Sequence, residues 1–98
     1  MELVVETYRP HGEASSASIR VRPLSGQGID TALLVECSRS MRAQYPVGAL
    51  LKLEVMLKER EGTPFLYAHP KAPFEKVSVD EAQCFIEMMY GKKKTTRK

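Results

Sequence analysis

Residues 49–59 constrain the chain more than any other stretch. Leu51, Leu53, Val55 and Leu57 alternate there with Lys52, Glu54, Met56 and Lys58. Successive side chains of a strand point to opposite faces, so this alternation predicts one long antiparallel strand with a buried face and a solvated face. Such a strand is not stable alone and needs neighbours and a covering layer. Arg60-Glu61-Gly62 reads as a turn, and residues 63–68 return as the next strand, with Pro64 near its start. Residues 3–8 form a short β-branched run closed by Arg9-Pro10-His11-Gly12. Residues 18–22 place Ile19 and Val21 on one face and Arg20 and Arg22 on the other, and Pro23 ends that pairing or puts it on an edge. Residues 74–77 form a last short strand after the rigid His69-Pro70-Lys71-Ala72-Pro73 connector.

Two segments read as helical. Residues 31–37 fit both a strand and a helix, since Leu33, Val35 and Cys37 alternate while Leu34, Cys37 and Met41 recur at helical spacing. The preferred reading is a strand followed by one or two helical turns, capped by Ser38, covering 39–44 and stopped before Pro46. Ser78-Val79-Asp80-Glu81 is a capping box, followed by an apolar stripe of Ala82, Phe85, Ile86 and Met89 and a stop at Gly91. The expected fold is α+β and mainly antiparallel β: a small curled sheet or open barrel of about five to six strands, with a short helix and a C-terminal helix over one open end or face. A chain of 98 residues makes one domain, here 1–91, followed by a basic, disordered tail at 92–98.

The stretch Tyr45-Pro46-Val47-Gly48, followed by the long strand and then Arg60-Glu61-Gly62-Thr63-Pro64-Phe65-Leu66-Tyr67, resembles short uncharacterised prokaryotic and phage-type proteins. The resemblance covers about residues 19–77. It implies a prokaryotic or viral source and carries no activity or catalytic residue.

Charge divides unevenly along the chain. Fifteen basic residues against twelve acidic over the whole chain become ten against twelve over 1–91, because Lys92, Lys93, Lys94, Arg97 and Lys98 all lie in the tail. The body therefore has a net charge of −2 and the basicity belongs to the tail. No run approaches the ~20 apolar residues of a membrane span. The start, Met1-Glu2-Leu3-Val4-Val5-Glu6, has neither the basic residues nor the apolar length of a signal peptide. Cys37 and Cys84 are too few for a disulfide scaffold and read as buried, reduced thiols, which places the chain in the cytoplasm.

Catalytic and cofactor chemistry finds no carrier. His11 and His69 sit in loops, the two cysteines are far apart, and no spacing suits a metal. Nothing in the sequence brings Cys37 or Cys84 together with His69, and Glu59 and Glu61 around the hairpin read as solvated turn carboxylates. Gly26 and Gly28 are followed by Thr31 where a dinucleotide fingerprint has its third glycine. The expectation is no metal, no cofactor, no catalytic residue and no enzyme.

Binding remains, in two forms. Arg20 and Arg22 share a strand face, and Arg39 and Arg42 sit one helical turn apart; with Lys92, Lys93, Lys94, Arg97 and Lys98 they make a candidate surface for DNA or RNA. Tyr67 is the aromatic that would offer a stacking face. The alternative is a protein-interaction module, acting as a homodimer, an accessory subunit or a phage-type inhibitor of a larger complex. Met56 breaks the polar face of the long strand, and Met88, Met89 and Tyr90 widen the apolar stripe of the last helix.

Overall fold

The computed structural model describes residues 1–9 and 19–91. In chain order its elements are β1 (Glu2–Tyr8), β2 (Arg20–Pro23), β3 (Val35–Glu36), α1 (Arg39–Ala43), β4 (Leu50–Glu54), β5 (Met56–Arg60), β6 (Thr63–Tyr67), β7 (Phe74–Val77) and α2 (Val79–Tyr90). Expectations about residues 10–18 and about the tail, 92–98, lie outside the described residues.

The long alternating strand exists, but it breaks at Val55 and serves two sheets. Its first half, β4, lies inside a four-stranded sheet of order β2-β1-β4-β7, all antiparallel. Its second half, β5, is the edge of a three-stranded sheet of order β3-β6-β5, where β5 and β6 are antiparallel and β3 and β6 are parallel. A strand that changes sheets at a bend is a common corner where two sheets pack. The result is seven strands in two mostly antiparallel sheets with two helices, not closed into a barrel.

Burial explains the layering. In β1, Leu3, Val4 and Val5 are all buried, which one-sided alternation does not allow. Leu3 and Val5 face the second sheet and join Val21, Leu51, Leu53, Val55, Val35, Leu66 and Met41 in the main core. Val4 faces the other way and packs with Val77 and with Ala82 of α2, where Leu24, Leu50, Phe85 and Ile86 complete a smaller core. The four-stranded sheet is thus a middle layer, between α2 and the three-stranded sheet.

The helices follow their local signals. Ser38 caps α1, its hydroxyl accepting from the Met41 N–H, and Ser78 with Glu81 forms the expected capping box of α2. The ambiguous segment before Ser38 keeps only two residues of strand, enough to pair Val35 with Leu66.

Two expectations need correction. Leu57 does not share the burial of Leu51, Leu53 and Val55; it is 58% exposed, because the first sheet ends at the bend and no described residue covers the inner face of β5 beyond it. Cys84 is not a buried thiol but lies on the exposed side of α2, while Cys37 is half-buried. Burial pushes the Cys37 thiol up from its ordinary value, and the nearby Arg42 charge opposes that.

Candidate interaction edge

The β5–β6 hairpin turns on Glu61 and Gly62, with φ of 50° and 82°. Two positive φ angles mark the tight turn whose twist suits a two-residue hairpin. Arg60 and Thr63 flank it as an opposite pair, and the register continues through Lys58 opposite Phe65 to Met56 opposite Tyr67. Antiparallel pairs alternate between those that exchange hydrogen bonds and those that do not. The Leu66 N–H donates to the Leu34 carbonyl at 2.8 Å and the Ala68 N–H to the Glu36 carbonyl at 2.8 Å, so both point to β3 and away from β5. Leu57, opposite Leu66, is therefore in a non-exchanging pair, and so is Glu59. Their N–H and C=O groups point outward, to the free side of β5.

Val55 has the same outward parity, and its groups already have partners. Its N–H donates to the Met1 carbonyl at 2.8 Å, and its carbonyl accepts from the Met1 ammonium at 2.9 Å. That ammonium also reaches Glu54 at 2.8 Å. Among the described residues no strand pairs with the outward side of Met56–Arg60, and all five residues of β5 are exposed.

The outer face of the same sheet carries Phe65 and Tyr67, each under a cation. The Arg60 guanidinium lies 4.4 Å from the Phe65 ring centre, and the Lys58 ammonium lies 4.8 Å from that of Tyr67. Arg60 also donates to both carboxylate oxygens of Glu36, at 2.9 and 3.3 Å, across β6 from β5 to β3. That fork holds the Glu36 carboxyl below its ordinary value, chiefly through the hydrogen bond, and raises Arg60. Leu34 and Met56 lie exposed on either side of this face. A shallow hollow of about 300 Å³ opens between Leu34, Arg60 and Pro64, and another of about 370 Å³ between Met56, Lys58, Tyr67 and His69.

The arginines expected to meet nucleic acid are distributed differently. Arg22 lies 4.4 Å over the Tyr8 ring and 3.4 Å from the Glu6 carboxylate. Arg42 donates to the Ile19 carbonyl at 3.0 Å and to the Ser38 carbonyl at 3.4 Å, tying α1 to the residue before Arg20. Arg20 has an interaction partner of its own. Arg39 is exposed on α1. Lys92, Lys93, Lys94, Arg97 and Lys98 are outside the described residues.

Of the residues expected at a protein interface, Met56, Met88 and Met89 are exposed, at 57%, 73% and 52%. Met56 belongs to the hairpin and the other two to α2, on a different layer. Tyr90 is engaged within the fold: its hydroxyl donates to the Glu2 carbonyl at 2.7 Å, and its ring meets Phe85 edge-on. Sequence reasoning missed Leu34, Leu57 and the edge itself. A signal for the edge was present in the two-residue turn, which sets which residues of β5 point outward, but not which side of β5 lacks a neighbour.

Among the described residues no three His, Cys, Asp or Glu side chains gather to hold a metal. No described helix is long and apolar enough to cross a membrane. No family model, curated protein or solved structure matches the chain.

Proposed function

We propose that this chain is a non-catalytic protein-binding module that takes up an extended segment of another protein as an added strand on the free edge of β5. The observation that carries this reading is the row of outward backbone groups at Leu57 and Glu59, which no strand among the described residues pairs, set beside the exposed side chains of Met56 and Leu57. An unpaired edge is a ready template for another strand. Strand addition draws affinity from main-chain hydrogen bonds and selectivity from alternate side chains.

The test is Leu57→Pro. Proline removes the outward N–H and takes no bond from β6, so the hairpin stays formed while the edge is blocked. Random peptides displayed on phage are panned against the wild-type chain and against Leu57→Pro. The reading expects peptides that bind the wild type, protect the Leu57 and Glu59 amides from exchange, and lose binding to Leu57→Pro. Selected peptides that bind both proteins equally and protect amides elsewhere would contradict it.

A second reading, contact with DNA or RNA, draws on the Arg42–Ile19 bond, which brings α1 beside Arg20, and on the basic tail. Its test is fluorescence anisotropy with labelled single- and double-stranded DNA and RNA at low and physiological salt. Binding that survives physiological salt and falls in Arg20→Ala/Arg39→Ala supports it. Binding seen only at low salt and indifferent to those substitutions assigns it to a nonspecific polycation effect of the tail.

A further inference from the structure

Resting on the strand-addition reading, we infer that the edge of β5 rejects a second copy of this chain and selects a partner segment with a carboxylate opposite Lys58, an apolar residue opposite Leu57 and a basic one opposite Glu59. The occupant is an extended segment of a different protein, of about five residues.

The length follows from the neighbours of the edge. Met1 already fills the position beside Val55, so an added antiparallel strand runs only beside Met56–Arg60 and turns away before Met1. At the other end the chain turns at Glu61 and Gly62. Four outward groups are available in that span, the N–H and C=O of Leu57 and of Glu59.

Self-pairing through all four groups has one solution. A two-fold axis must set Leu57 against Glu59 of the second copy, and Glu59 against its Leu57. That register puts Lys58 directly opposite Lys58, on one face, in a non-exchanging pair whose Cα atoms are about 4.5 Å apart. Like charges placed so are destabilising, and lysine on an edge is a known guard against edge-to-edge association. Moving the axis one residue toward Val55 requires groups that Met1 holds. Moving it one residue the other way sets Glu59 against Glu59 and runs into the turn.

A foreign strand escapes this conflict when its central residue is acidic. Its carboxylate meets the Lys58 ammonium on the outer face, beside Tyr67. The next residue toward its C-terminus exchanges both bonds with Leu57 and points to the inner face, where the exposed Leu57 side chain lies. The preceding residue exchanges with Glu59 on that same inner face. Opposite charge across the pair sets which segment is accepted more than how tightly it is held.

The test uses the full chain and two capped peptides, Ser-Thr-Lys-Glu-Val-Ile-Ser and the same peptide with Lys in place of Glu, titrated by amide NMR. The wild type is expected to bind the Glu peptide about threefold or more tighter than its Lys counterpart. Lys58→Glu is expected to invert that order. In sedimentation equilibrium the wild type is expected to remain monomeric, and Lys58→Thr to dimerise in a way that Leu57→Pro abolishes. If both peptides bind equally with Leu57 and Glu59 protected, strand addition stands and the charge rule is overturned. If neither peptide perturbs those amides in either protein, strand addition itself is overturned. A wild-type dimer dissociated by Leu57→Pro would overturn the exclusion of a second copy.

Discussion

Single side chains act as substitutes for backbone in this fold. Gln27 is 3% exposed and clasps β1 at Val4, just past the residues that β2 pairs: its amide nitrogen donates to the Val4 and Leu24 carbonyls at 2.9 and 3.0 Å, and its oxygen accepts from the Val4 N–H at 2.8 Å. Removing it leaves a buried N–H without its partner, while the Val4 carbonyl keeps the Leu24 N–H at 3.1 Å. Gln27→Ala is therefore expected to cost about 1–3 kcal/mol, read as a lower urea midpoint at unchanged slope. Nothing in the sequence marked Gln27, because a glutamine between two glycines reads as loop; only the return of the chain beside Val4 makes it structural. Glu36 is held instead by another side chain, Arg60. Arg60 depresses its folded value, so the attraction is present above the ordinary glutamate range and is lost as pH falls through the lowered value. A carbon-13 titration is expected to show Glu36 ionising below the ordinary glutamate value, and Arg60→Ala to bring it back up. An unchanged Glu36 midpoint in Arg60→Ala would remove the fork from solution.

At the scale of elements, local patterns were legible where one physical signal decided the outcome. The capping boundaries of α1 and α2 follow from Ser38 and Ser78, whose hydroxyls satisfy helix N–H groups wherever the helix packs. The 49–59 alternation correctly indicated a strand and misassigned Leu57, because alternation reports only that two faces differ. Which face is covered depends on where a neighbouring layer ends, and here it ends at Val55. The hairpin depends on backbone that only its turn residues tolerate. Gly62, at φ 82°, has open space where a Cβ would sit, so the cost of a side chain there is conformational and not steric contact. Gly62→Ala is expected to destabilise by about 1 kcal/mol and to speed amide exchange at Lys58 and Arg60 ahead of the first sheet. Equal loss across both sheets would mean that the hairpin does not open separately.

For the whole molecule, the sequence supported an unclosed α+β fold with mainly antiparallel strands, and the difference lies in seven strands forming two sheets where one sheet of about five to six was expected. Burial on both faces of β1 turns a single curled sheet into the middle of three layers. That arrangement was not legible because α2 and the second sheet reach β1 from residues far along the chain. Leu53, 2% exposed in the main core, tests it: Leu53→Asp places an unpaired charge there and is expected to abolish cooperative unfolding altogether. A folded Leu53→Asp chain would mean that the β4 face is not interior. The proposed edge was legible only in part: Met56 was marked as breaking the polar face of its strand, Leu57 read as a core residue, and Leu34 was not singled out as a surface residue. The most direct test of the open edge is residue-resolved amide exchange along β5 in the free protein. Alternation is expected, with Met56, Lys58 and Arg60 protected by β6 and Leu57 and Glu59 exchanging fast. Uniform protection at all five would show the edge already occupied and contradict it.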